Sequence, residues 1–196
     1  LFEFNDEEPL GTTFWRFKDY QNNINVLGGR NIGDNRKKQS RKLIVNVHAF
    51  CLMPNHYHLL LSERVEKGIP RFMQKLNAGF VRYFNERHKR RGTLFESRYK
   101  SVKVVTGPHF IHIPYYIHLN PLDLVYPEWR SRKLASYKEA FKFLNSYRWS
   151  SHLDYAGVKN FPSVTQREFL TKFFGGSQKY KKEVKRWLKD IDLEEL

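Results

Sequence analysis

The chain has 196 residues, 40% of them hydrophobic, enough for one substantial core with an appendage. Its 35 lysines and arginines exceed 20 acidic residues for a net charge of +15, and 16% of the residues are aromatic, which excludes a merely disordered basic tail and points to a polyanion as partner. The single cysteine, Cys51, excludes an intrachain disulfide. No apolar run approaches the roughly 20 residues that cross a bilayer, and the cytoplasm is the expected compartment.

In chain order, Leu10, Phe14, Phe17 and Tyr20 recur at spacings of three and four and predict an amphipathic helix over 7–24. The stretch "GGRNIGDNRKKQSRK", 28–42, has no hydrophobic period and reads as a basic loop. "LIVNVHAFCLM" and "HYHLLLSE" are rich in β-branched and aromatic residues and flank Pro54 and Asn55, which predicts a hairpin with Cys51 as a buried strand thiol. Ile69, Phe72, Leu76, Phe80 and Phe84 predict a helix over 69–91 with a phenylalanine stripe in the core, closed by the cations of "NERHKRRG" and capped by Gly92.

"TLFESRYKSVKVV", 93–105, predicts another strand, with Arg98 and Lys100 on it; together with Arg87, Lys89, Arg90 and Arg91 these are the expected nucleic-acid contacts. "HFIHIPYYIHLNP" predicts a helix ended by Pro121, with Pro114 either bending it or starting it. Beyond residue 126 the composition turns to Trp, Tyr, Lys and Ser, with a last helix over 178–192.

In a strand, residues i and i+2 face one way, so His56 and His58 project together and can lean onto one ion. By itself this spacing leaves an ordinary strand pair equally open. Tyr116 and Asn120, four apart on a helix, share a face and present a hydroxyl beside an amide oxygen. Two imidazoles and an oxygen suit Mg2+ or Mn2+, whereas structural zinc would want a closed set of four ligands. His48, His109, His112 and His118 read as packed or surface histidines.

The blocks "FCLMPNHYHLLL", "FMQKLNAGFVRYFNERHKRRGTLFESRYKSV", "YIHLNPL" and "YRWSSHLDYAG", in that order, resemble the single-tyrosine transposases that act on single-stranded DNA, particularly the REP-associated branch, over about residues 1–157. The resemblance implies an α+β fold, a ferredoxin-like antiparallel sheet with helices packed on one face, in a His-hydrophobic-His endonuclease domain over 1–125 with its first strand missing. Residues 126–196 are then a basic helical extension. It also implies His56, His58 and Asn120 as metal ligands and Tyr116 as the nucleophile, with Tyr115 as second choice. The expected activity is metal-dependent cleavage and strand transfer of single-stranded or hairpin DNA through a 5′-phosphotyrosine, by a monomer or homodimer. Two rivals remain at this point: a DNA- or RNA-binding domain that has kept the fold without the chemistry, and a metal-dependent hydrolase that attacks with water.

Overall fold

The computed structural model describes residues 1, 2, 4–7, 41–131 and 134–190. The helix expected over 7–24 and the basic loop at 28–42 fall outside them, apart from residues 7, 41 and 42. The chain divides into two compact units, one of residues 1–45 and 63–100, the other of residues 46–62 and 101–196.

The first unit is built on Asn5. Its buried amide donates to the carbonyl of Val45 at 2.8 Å and accepts from the N–H groups of Ile44 and Val45 at 3.0 and 2.9 Å, standing in for a neighbouring strand. The helix α1, Gly68–Arg87, starts where the Glu63 carboxylate accepts from Ile69 N–H at 3.2 Å. Gly68 is required there, since a Cβ would stand 2.5 Å from the carbonyl oxygen of Ile44.

Phe72, Met73 and Leu76 are buried with Ile44 and Val45, so the apolar period does form a core in the first half of α1. The rest of the stripe departs from expectation. Phe80 is 42% exposed and lies against Phe84 and Phe95, while His88 and Arg90 cover the Phe84 ring. The helix also stops before Gly92. Arg90 N–H reaches back to Asn85 C=O at 2.8 Å and Lys89 N–H to Glu86 C=O at 3.2 Å, a closing motif that puts Lys89, with φ of 51°, in the left-handed region usually given to glycine. The strand expected over 93–105 does not form: residues 88–106 run without helix or strand, tied locally by Asn85 to Gly92 C=O and Arg90 to Thr93 C=O.

The second unit holds most of the hairpin, β1 (Val45–Leu52) and β2 (Tyr57–Glu63), an antiparallel pair that agrees with the sequence reading. Cys51 is buried in β1, where burial pushes its thiol up to about 12. Hydrogen bonds from side chains and backbone far along the chain cover the other edge of β1. Val47 N–H donates to Gln166 Oε1 at 2.7 Å, Phe50 N–H to Ser151 Oγ at 2.9 Å and Leu52 N–H to Trp149 C=O at 2.8 Å. The Tyr155 and Tyr147 hydroxyls donate to His48 and Leu52 carbonyls at 2.5 and 2.6 Å.

Helix α2, Gly107–Leu119, begins with Thr106 accepting from His109 N–H and Pro108 in its first turn. Pro114 lies inside it, so of the two expectations the helix does not begin there, and Pro114 cannot donate to the carbonyl one turn back. Two 3₁₀ turns follow, Asn120–Leu124 and Pro127–Ser131, and then helices α3 (Tyr137–Ser146), α4 (His152–Tyr155), α5 (Glu168–Phe174) and α6 (Ser177–Asp190). The architecture is α+β, as expected. Residues on both sides of 125 share one core: Tyr115, Ile117 and Leu119 are buried with Trp129, Leu144, Phe174, Tyr180 and Trp187.

A line of neutral polar groups crosses that core. Asn145 Nδ2 donates to Phe141 C=O, which turns Asn145 Oδ1 toward His152 Nε2 at 3.3 Å. An amide oxygen only accepts, so His152 Nε2 carries the proton and Nδ1 must accept, from the Tyr180 hydroxyl at 2.8 Å. The Tyr180 oxygen then accepts from His118 Nδ1 at 2.8 Å, leaving His118 Nε2 to accept from the Ser151 hydroxyl at 2.7 Å. Each member donates once and accepts once, and His118, Ser151, His152 and Tyr180 are completely buried. The arrangement fixes α2 against α4 and α6, and His118 is packed, as the sequence reading held.

Candidate active site

The hairpin turn and the end of α2 meet in the second unit. His56 sits just before β2 rather than in it, because its carbonyl accepts from Met53 N–H at 2.8 Å to close the turn. The two imidazoles nevertheless face each other, with centroids 5.0 Å apart at 89°. Asn55 Oδ1 lies 2.7 Å from His56 Nδ1, so Nδ1 donates and the lone pair is left on Nε2 of an exposed ring.

His58 is half-buried, and its Nε2 is buried without a hydrogen-bond partner among the described residues. Burial first, and then the neighbouring His56 and Arg130, hold its pKa below the ordinary value, against weaker support for the charge from Asp123 and Asn120. A neutral ring with an unused nitrogen is the form that binds a metal.

Tyr116 and Tyr115 are separated by the rotation of one helical residue, and their surroundings are opposite. The half-buried Tyr116 ring packs edge-on to His58 with centroids 5.6 Å apart. Tyr115 is 4% exposed, lies between Trp187 at 4.9 Å and Tyr180 at 6.0 Å, and is pushed up to about 12 by burial and by Glu183. Asn120, at the end of α2, is buried; its Nδ2 donates to Tyr116 C=O at 2.7 Å, which ties the amide to the tyrosine.

Arg130 completes the group and was not foreseen. Its guanidinium stands 5.1 Å from the centre of the Tyr116 ring and donates to Asn120 Oδ1 at 3.3 Å. Asp123 holds it from behind with two bonds, Nε to Oδ1 at 3.0 Å and Nη2 to Oδ2 at 2.6 Å, while Trp129 Nε1 donates to the same carboxylate at 2.6 Å. Burial works against the charge of Arg130, but Asp123 and Tyr116 outweigh it and keep the group ionised. The clue in the sequence is "NPLDLVYPEWRS", where two prolines force tight turns; nothing there tells that these turns fold Arg130 back onto Tyr116.

His56, His58, Tyr116 and Asn120 thus share a neighbourhood, linked ring to ring and amide to carbonyl. The two imidazole nitrogens fit a divalent cation. Asn120 Oδ1 fits only after giving up Arg130, and no cluster of three His, Cys, Asp or Glu residues offers another set among the described residues. Arg87, Lys89, Arg90, Arg91, Arg98 and Lys100 are all exposed in the first unit. The first four close α1 and its cap; the last two lie on irregular chain, not on the strand expected for them.

Residues 29–120 match the family of IS200-like transposases, a little under half of the chain. No curated protein and no solved structure matches it. The family match supports a DNA-processing protein of transposase type. No helix among the described residues is long and apolar enough to cross a membrane.

Proposed function

We propose that this chain, similar over 29–120 to IS200-like transposases, nicks and rejoins single-stranded DNA through Tyr116. The observation that carries the reading is the meeting of Tyr116 with the His58 ring, whose Nε2 has no hydrogen-bond partner among the described residues, and with the charge of Arg130. The phenolic oxygen attacks phosphorus, the bond from phosphorus to the 3′ oxygen breaks, and the 5′ phosphate stays on the tyrosine. The tyrosyl proton is lost and the leaving 3′ oxygen gains one, so bond energy is kept in the phosphotyrosine and a second 3′ end reverses the step.

His56, His58 and Asn120 would hold Mg2+ or Mn2+. When bound, such an ion polarises a non-bridging phosphate oxygen and orients the scissile group. Arg130, forked and always charged, donates to the phosphate beside the tyrosine, and Asp123 keeps its plane fixed. Asn120 holds the turn of α2 that carries Tyr116 through its bond to the Tyr116 carbonyl. The exposed cations at the end of α1 supply affinity that does not depend on sequence.

A second reading, DNA binding without cleavage, is favoured by the one feature that resists the first, the engagement of Asn120 Oδ1 by Arg130. One experiment separates them. Purified protein is incubated with Mg2+ or Mn2+ and end-labelled single-stranded DNA from its own genomic flanks, then run on a denaturing gel. A covalent adduct that disappears in Tyr116→Phe and persists in Tyr115→Phe is expected. Binding with no adduct under any metal leaves the second reading, and adducts that survive both changes exclude this segment as the source of the nucleophile.

A further inference from the structure

Arg148, Trp149 and Phe161 form a group that the reaction above does not use. The Trp149 and Phe161 rings are stacked, 6.1 Å between centres at 23°, and the guanidinium carbon of Arg148 lies 5.1 Å from one centre and 5.3 Å from the other. Trp149 is 51% exposed. So large an apolar ring is ordinarily drawn into a core, and one held open beside a cation is suited to a flat, electron-rich or anionic partner.

The group is built, not loose. Both oxygens of the buried Asp154 carboxylate clamp the loop under Phe161, Oδ1 accepting from Asn160 N–H at 3.1 Å and Oδ2 from Phe161 N–H at 3.0 Å. Asn160 Nδ2 donates in turn to the carbonyls of Arg148 and Ser150 at 2.6 and 3.2 Å, which locks the loop to the segment carrying Trp149. Trp149 C=O accepts from Leu52 N–H at 2.8 Å, and the Tyr147 hydroxyl donates to Leu52 C=O at 2.6 Å. The platform is therefore fastened to the end of β1, four residues before His56.

We propose that Arg148, Trp149 and Phe161 form a stacking site for an unpaired nucleobase of single-stranded DNA, with Arg148 meeting the adjoining phosphate. The choice of occupant follows from charge and shape together: a base offers a flat face to the open indole, and its flanking phosphate complements Arg148 in a chain of net charge +15. Clamping by Asp154 and Asn160 means that little ordering is left to be done on binding. The site rests on the single-stranded DNA reading and adds to it a fixed position for one base near the turn that bears His56.

The test compares two labelled probes by fluorescence anisotropy, a 12-residue oligothymidylate and an abasic oligomer of the same length. Trp149→Ala is expected to weaken oligothymidylate binding about 10-fold, the scale of one lost stack, and to leave abasic binding and its salt dependence unchanged. Trp149→Phe, which keeps a ring, should recover most of the loss. Because Trp149 joins β1 through its backbone, the alanine variant keeps that hydrogen bond, and circular dichroism checks that it is folded. Unchanged oligothymidylate binding by Trp149→Ala, or an equal loss on the abasic probe, overturns the stacking site while leaving the single-stranded DNA reading in place. A wild-type protein that binds neither probe at low salt overturns that reading and the site with it.

Discussion

Acid should destabilise this protein between about pH 6.5 and pH 4, and the hydrogen-bonded line through Tyr180 sets that window. In the folded chain His152 donates from Nε2 to Asn145 and accepts at Nδ1 from Tyr180, and the ring is fully buried, so a second ring proton finds no free acceptor among the described residues and no access to bulk solvent. Burial lowers its pKa from the ordinary 6.5 to about 4. Above pH 6.5 the folded and unfolded chains are both neutral at this residue and its contribution is intact. As the pH falls below 6.5 the unfolded chain takes up a proton that the folded one refuses, and stability drops by about 1.4 kcal/mol per pH unit, reaching about 3 kcal/mol by pH 4. His118, held well below its ordinary value by burial and by His152, acts with the same sign. The test is urea unfolding of wild type and His152→Gln at half-unit steps from pH 7.5 to 4. Glutamine can accept from Tyr180 and donate to Asn145 but does not titrate, so the curve of stability against pH should flatten by about 1.4 kcal/mol per unit in this window. Parallel curves would refute the argument. So would a ring resonance of His152 in the native wild type that titrates near 6.5.

Three further outcomes are expected. Arg130→Gln should lower the rate of adduct formation by roughly 100-fold, the scale of one lost donor to a reacting oxyanion, and Arg130→Lys should recover only part because it cannot reproduce the two-pronged bond to Asp123; single-turnover gels measure both. Lys89→Gly should raise the unfolding free energy by up to about 1 kcal/mol, since it relieves the left-handed backbone, and should reduce the salt dependence of DNA binding by about one counterion if Lys89 touches phosphate. His58→Ala should abolish adduct formation in Mg2+ and in Mn2+ alike, read on the same gels, while leaving DNA binding measurable by anisotropy, because it deletes an inward nitrogen and keeps the surface charge.

The sequence made some of this legible because the deciding forces act locally. β-branched runs around Pro54 and Asn55 can hardly avoid a hairpin, and Pro121 disfavours helix just where α2 ends. The four-residue spacing that separated Tyr116 from Tyr115 also depends only on helical pitch, and the two tyrosines do face different surroundings. The strand over 93–105 failed for the complementary reason. Alternation there is a weak local preference, and a strand needs a partner edge; the described edge of β1 is taken by 149–151 and Gln166 instead. Lys89 shows how a cap can override residue type at modest cost, since two backbone bonds offset one strained φ. Arg130 was hidden because its contact with Tyr116 is made by consecutive 3₁₀ turns, whose direction no periodicity encodes.

The cover on the edge of β1 also sets a schedule for synthesis. The groups that satisfy this strand lie 95 to 119 residues further along the chain. A ribosome adding about 5–20 residues per second needs on the order of 5–20 s to make that stretch, whereas a hairpin closes in about 1–10 μs. For those seconds the nascent hairpin is formed and its edge is open, a row of unpaired N–H and C=O groups able to template another strand. Slowing translation between residues 60 and 150 lengthens this exposure without changing the native state at all, so the yield of soluble protein should depend on codon usage in that interval and on chaperones that bind extended chain, independently of how stable the finished molecule is.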